Sequence, residues 1–222
     1  MNTNLAIPLI YLGSTFAVQL LVVLIGSAAS FINPKKTSTT LTLGTGLAVI
    51  ILVLYSAAIF EFQKSLSLIF GALILMSILT IFVRLRRTGI GSEFLLSKTQ
   101  ELKPLAIGGL VGFWIFIIPI TRFTGFGNTH GAAASYNNDI ANYAIGLRAL
   151  LESGFAPSAH IAGLDYSKFV LENYPGANLV LLILGGIDPT NITWGILPTM
   201  MAMVGILYMV LFDYSKKFIS RG

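Results

Sequence analysis

The sequence predicts an all-α polytopic membrane protein, and three observations support that prediction. Of the 222 residues, 55% are hydrophobic and only 10% are charged, whereas a soluble domain usually carries about 25% charged residues. Five long apolar runs contain no charged residue. The basic residues are distributed unevenly among the connections between these runs. The composition alone assigns the chain to the membrane class.

Each of the five apolar runs is close to the length of a transmembrane helix, which needs about 20 mostly apolar residues. They are Ala6–Phe31, Leu41–Phe60, Leu66–Val83, Leu105–Thr121 and Ile192–Phe212. A sixth run, Ala177–Ile187, is too short to cross and ends at the turn signals Gly185-Gly186 and Asp188-Pro189. No basic residue precedes the first run, which is also long for a signal peptide, so it is expected to be a retained span.

The lysines and arginines predict the orientation, because cytoplasmic loops favour positive charge. With the N-terminus outside the cell, ten basic residues fall inside and four outside. The inside ones are Lys35, Lys36, Arg84, Arg86, Arg87, Lys98, Lys103, Lys216, Lys217 and Arg221, and the outside ones are Lys64, Arg122, Arg148 and Lys168. Topology therefore explains the net charge of +5 without nucleic-acid binding. Contact with membrane lipids, including anionic headgroups at "RLRR", is also expected. We expect a multi-pass protein of the plasma membrane with a cytoplasmic C-terminus.

One long connection, residues 122–191, falls on the outer face in this orientation, and long loops are usually functional or disordered. A helix is predicted to begin at the capping residues 137–139 and to end at Ser153-Gly154. Its apolar stripe would let it lie along the membrane or against other spans and hold Asp139 at the boundary between water and lipid. The stripe consists of Ile140, Ala144, Leu147 and Leu151.

The second half of this loop is predicted to hold two further helices. Asp165, Lys168 and Glu172 have helical spacing and can form surface ion pairs. Pro175 would begin a second, short and very apolar helix over residues 178–187, which would lie along the outer leaflet or dip into the protein. The absence of cysteine excludes disulfides, thiolate metal sites and cysteine nucleophiles.

The order of these features resembles the GT-C superfamily of membrane glycosyltransferases, most closely the lipid A aminoarabinose transferases and protein O-mannosyltransferases. In that branch a span leads into an outer loop, where a juxtamembrane helix begins with a catalytic Asp and carries a Tyr four residues later. The matching residues here are Asp139, Tyr143-Ala144, Ser153-Gly154, Tyr174-Pro175-Gly176, Gly185-Gly186, and Trp194 with Pro198. The resemblance covers about residues 105–212, and it is an analogy at the level of the fold.

The resemblance implies that a sugar moves from a lipid-linked donor, a polyprenyl phosphate or pyrophosphate, to an acceptor on the outer face. Asp139 would be the general base that takes the proton of the acceptor hydroxyl. The expected substrate-binding residues are Tyr143, Lys168, Arg122, Tyr174 and Asp165, with Lys168 and Arg122 favoured for the donor phosphate. No cofactor is expected. A divalent ion shared by Asp139 and Asp165 is conceivable, but two oxygen ligands do not predict a metal site.

The resemblance also divides the chain. Residues 1–103 would be a three-span N-terminal extension, and residues 104–222 would begin the GT-C-like module. Because the family's helical body continues for further spans, we expect a fragment, a shortened paralogue or one half of a two-chain enzyme. In the last case a second membrane chain would supply the missing spans.

Two other functions compete with the glycosyltransferase. Many members of the family have a second acid beside the catalytic Asp, whereas Asn138 and Ile140 flank Asp139 here. Helix capping would account for Asp139, and an interfacial position would account for Tyr143. The chain would then be a non-catalytic membrane subunit whose outer loop binds a partner through aromatic anchors. These anchors would be Tyr136, Tyr143, Phe155 and Tyr166. A transporter is less favoured, because the spans carry no charge and show no inverted repeat.

Overall fold

Five α-helices make up the part of the chain that the computed structural model describes, which is residues 3–29, 38–60, 65–88, 102–124 and 192–219. They are α1 (Thr3–Ala29), α2 (Thr39–Ile59), α3 (Leu66–Thr88), α4 (Lys103–Thr124) and α5 (Ile192–Ile219). Four of them contain stretches long and apolar enough to cross a membrane, and the described apolar part of α4 is shorter. The stretches are Pro8–Ala29, Thr39–Ala57, Ser67–Arg87 and Ile196–Lys216, and the part of α4 is Lys103–Ile117. The predicted all-α polytopic membrane fold is confirmed.

These apolar runs form helices because their surroundings are lipid and not water. Valine and isoleucine are frequent in them, and in water these residues favour strands. In a hydrocarbon core every backbone N–H and C=O must be bonded within the protein, and a helix does this within one segment. At the start of α2, Ser38 caps the helix by accepting a hydrogen bond from the Leu41 N–H at 3.2 Å.

Two helices continue well beyond the predicted spans. The apolar run of α3 ends at Val83 and that of α5 at Phe212, yet the helices continue to Thr88 and Ile219. With 28 residues, α5 is about 42 Å long, longer than the hydrocarbon core of about 30 Å. The apolar run therefore marks the depth of the lipid and not the end of the helix, because long basic side chains can continue a helix among headgroups.

The first helix is central among the described helices. α1 contacts α2, α3, α4 and α5, and the most extensive contact in the bundle joins α4 to α5. α2 lies against α1 and contacts α5 to a small extent, whereas the extensive contact of α3 is with α1. Buried apolar side chains from all five helices, among them Tyr11, Ile50, Phe70, Ile117 and Met201, form one core cluster.

Contacts between helices show which helix ends lie together. The last turns of α1 and α3 meet where Arg84 Nη1 donates to the Ser27 carbonyl at 3.2 Å. Thr40 in the first turn of α2 donates its hydroxyl to the Asp213 carboxylate near the end of α5. We call this end of the bundle the basic end, because it carries the basic residues of α3, the start of α4 and the last turns of α5. At the opposite end α4 finishes and α5 begins.

Candidate functional site

Most of the predicted site residues lie outside the described part of the chain. This holds for Asp139, Tyr143, Asp165, Lys168 and Tyr174, and their roles stay predictions. The backbone of Arg122 belongs to the last turns of α4, but its side chain is outside the described set. What the structure describes is the framework of helices from which residues 125–191 start and to which they return.

Glycines bring the two framework helices into backbone contact. A Cβ atom added to Gly108 of α4 would lie 2.8 Å from the Gly205 Cα of α5, and one added to Gly112 would lie 2.5 Å from the Met201 carbonyl oxygen. These distances leave no space for a side chain. Gly108 and Gly112 form the small-xxx-small spacing that lets membrane helices approach closely.

This close packing fixes where the outer segment is attached. The helices are antiparallel, and Gly108 contacts Gly205 while Gly112 contacts Met201. The same register continued along the helices brings the last turn of α4 beside the first turn of α5. The two described helix ends that flank residues 125–191 therefore lie side by side, opposite the basic end.

One buried amide joins the framework to the central helix. Gln19 of α1 is 3% exposed, and its Nε2 donates to the Leu105 carbonyl of α4 at 3.2 Å. The amide lies between Gly109 and Gly205, and a Cβ at Gly109 would be only 2.7 Å from Nε2. Because an unpaired amide is costly to bury in an apolar medium, this bond helps to set how α1, α4 and α5 fit together.

Gln19 belongs to a polar line on one face of α1. Tyr11, Thr15 and Gln19 follow at intervals of four residues, and all three are buried. Thr15 Oγ1 donates to the Tyr11 carbonyl at 2.8 Å and lies 3.5 Å from the Met201 sulfur. Nearby on α5, Thr199 Oγ1 is buried and has no hydrogen-bond partner within the described structure. This line offers hydroxyl and amide groups for helix packing, but no carboxylate or imidazole for proton transfer.

The described helices hold a single carboxylate, and it lies at the basic end. Asp213 is the only carboxylate residue in the five described ranges, and it accepts the Thr40 hydroxyl at the basic end. No group of three potential metal ligands occurs within those same ranges. Any acid, base or metal ligand at the opposite end must therefore come from residues beyond them.

Two features of this framework were not predicted from the sequence. The spacing Gly108-x-x-x-Gly112 is a recognisable signal for close helix packing, and Gln19 is the only amide in the first apolar run. A strongly polar side chain in a span usually faces the protein interior. Both signals can be read from a short stretch of sequence, but neither shows which helix is contacted.

Comparison with protein-family models, curated proteins and solved structures finds no match for this chain.

Proposed function

We propose that the protein is a membrane glycosyltransferase of the GT-C type, or part of one. It would transfer a sugar from a polyprenyl-phosphate donor to an acceptor on the outer face of the membrane. The observation that supports this is the α4–α5 framework, which attaches both ends of residues 125–191 at the end of the bundle opposite the basic residues. Asp139 belongs to that segment and would act where a lipid-anchored donor presents its headgroup.

The proposed chemistry is a displacement at the anomeric carbon of the sugar. The acceptor hydroxyl oxygen forms the new bond to that carbon while the bond to the donor phosphate oxygen breaks. Asp139 takes the hydroxyl proton, and the polyprenyl phosphate leaves with the bonding electrons. Lys168 and Arg122 would neutralise the negative charge on the leaving phosphate, and Tyr143, Tyr174 and Asp165 would hold the donor.

The proposal requires that the basic end face the cytoplasm and that the N-terminus lie outside. Six of the seven basic residues on the described helices lie at the basic end, and only Arg122 lies at the other. The six are Arg84, Arg86, Arg87, Lys103, Lys216 and Lys217. This distribution supports the orientation, because cytoplasmic ends of spans favour positive charge. Since the chain has no cysteine, single cysteines can report it without background. Asn128→Cys in intact cells should react with an impermeant maleimide, and Ser97→Cys should react only after lysis. The reverse pattern would exclude the proposed site.

The base is tested by replacing one carboxylate with an amide. Purified protein in lipid nanodiscs would be given radiolabelled hexose on a polyprenyl phosphate, and release or transfer of the hexose would be measured. Asp139→Asn should lose at least a hundredfold in rate, because general-base catalysis contributes about 10²–10⁴-fold. Glu152→Gln, the same chemical change in the same predicted helix, is the matched control and should keep its activity. If Asp139→Asn is as active as the wild type, Asp139 is not the base.

A second candidate function is a non-catalytic membrane subunit. One observation favours this function. At the end opposite the basic end, the described helices offer no carboxylate that could assist Asp139, since Asp213 lies at the basic end. Purification in mild detergent should then recover a larger membrane protein in a fixed ratio to this chain, bound by the aromatic anchors of the outer loop. Replacing Phe155 and Tyr166 together by alanine should release that protein. Transfer by a purified monomer of this chain would contradict the subunit hypothesis.

A further inference from the structure

The helix α3 has two unlike faces. One packs on α1 and includes the buried Phe70 and Ser77. Arg84 lies on the same side, where it donates to the Ser27 carbonyl. The other face is open, and only 11% of the membrane-spanning window of α3 is buried. Of the four membrane-spanning windows, that of α3 is the least buried.

Near the basic end, large apolar side chains on the open face form two adjacent stripes. Both stripes end in arginine, as the helical repeat of 3.6 residues dictates. The first stripe is Leu75, Leu79, Phe82 and Arg86, and the second is Met76, Val83 and Arg87. All seven side chains are exposed. The surface therefore passes from hydrocarbon-like to cationic along the axis of a single helix.

The two arginines at the end of these stripes are placed for an anion at headgroup depth. Val83 is the last residue of the uninterrupted apolar run of α3, so Arg86 and Arg87 follow within about one turn. The Arg86 guanidinium lies over the Phe82 ring, 5.4 Å from its centroid, which holds it beside the apolar stripe. Arginine presents a planar set of donors that fits phosphate oxygens in pairs.

From this arrangement we propose that the open face of α3 binds an anionic phospholipid of the leaflet at the basic end. The acyl chains lie along the two stripes, and the phosphate is bound by Arg86 and Arg87. The site is independent of Asp139 and of the glycosyltransferase proposal.

The composition of the face favours a lipid over a partner helix. Where helices of this protein contact each other closely, the contacts contain glycine, as at Gly26 with Gly46 and at Gly108 with Gly205. Between Leu75 and Arg87 α3 has no glycine, and its exposed side chains there are long. Bulky flexible side chains suit lipid chains, whereas close helix pairs in membranes use small residues. Charge complementarity selects an anionic headgroup.

The test measures binding of the first phosphatidylglycerol to the full chain by native mass spectrometry in detergent. Each basic residue near an anionic surface contributes about a fivefold gain in binding, so Arg86→Gln with Arg87→Gln should weaken binding about 25-fold. Lys216→Gln with Lys217→Gln removes the same charge at the same end but on α5, and is expected to change binding less than about twofold. Phosphatidylcholine should bind the wild type more weakly than phosphatidylglycerol does.

Each contrary result would overturn the proposal. Equal losses in the two double variants would show diffuse attraction to the basic end, with no site on α3. Equal binding of phosphatidylcholine would show that the stripes bind acyl chains alone. Efficient disulfide cross-linking of Leu79→Cys between two chains in nanodiscs would show that a second copy covers the face. A thermal melt of each variant controls for folding, which should be unchanged because both arginines are exposed.

Discussion

The helices α5 and α3 are both strongly apolar, but α5 is largely covered by other helices and α3 is largely exposed. Half of the membrane-spanning window of α5 is buried inside the protein, compared with 11% for α3, although the membrane-spanning stretch of α3 has the higher mean hydropathy, 2.5 against 1.9. In water the more apolar helix would be expected to be the more buried one. In a membrane this rule fails, because lipid tails are as apolar as leucine and do not drive helices together.

Close fit, and not hydropathy, distinguishes the two helices. Gly205 of α5 lies against Gly109 and the Gln19 amide, whereas Gly71 of α3 has no atom within 4 Å of the position where a Cβ would be. Close contact lets many atoms attract one another by dispersion, which is the main attraction between helices in lipid.

The largest effect should come from adding one methyl group at Gly205. In Gly205→Ala the new Cβ would overlap the Gln19 amide and lie 2.8 Å from the Gly109 nitrogen, so α4 and α5 must separate. We expect a loss of about 3 kcal/mol in unfolding free energy, measured by unfolding in mixed micelles. Gly71→Ala on α3 is the matched control and should be neutral or slightly stabilising. Equal losses at both positions would contradict the assignment of α5 to a close contact.

An intermediate effect is expected from removing the amide that joins three helices. Gln19→Ala deletes the hydrogen bond to the Leu105 carbonyl and leaves a gap between Gly109 and Gly205. The expected loss is about 1.5 kcal/mol, near the upper end for single hydrogen bonds between membrane helices. Thr80→Val on α3 removes a hydroxyl that bonds only within its own helix and should change stability by less than about 0.5 kcal/mol. A neutral Gln19→Ala would mean that the glycines alone hold the three helices.

A smaller effect should separate the two faces of α3. Arg84→Gln removes the bond to the Ser27 carbonyl and should cost about 1 kcal/mol. Arg86→Gln, on the open face, should leave the unfolding free energy unchanged. Thermal unfolding in one detergent would compare the two variants. The reverse order would mean that α3 is rotated relative to α1.

The smallest effect is expected on the open face itself. Leu75 is 57% exposed, and Leu75→Ala should change the unfolding free energy by less than about 0.5 kcal/mol in detergent. The same unfolding measurement checks this. A loss above about 2 kcal/mol would mean that protein and not lipid covers this face.

The positions of the five described helices were predictable, because each helix satisfies its own backbone and can be read from a local apolar run. The ends were less predictable, since Val83 and Phe212 mark where charged residues begin and not where α3 and α5 stop. For the candidate site, the sequence predicts Asp139 together with the expected substrate-binding residues. Their geometry lies outside the described residues, so that prediction is unchanged.

The apolar runs are sufficient to predict an all-α polytopic membrane protein, and the distribution of charges predicts which end faces the cytoplasm. The packing of the described helices adds that α1 is central, that α4 and α5 share the most extensive contact and that α3 is peripheral. The physical reason is that apolar side chains are equally compatible with lipid and with protein. Which neighbour each side chain meets depends on the fit between helices far apart in the sequence, such as the Gln19 amide between two glycines.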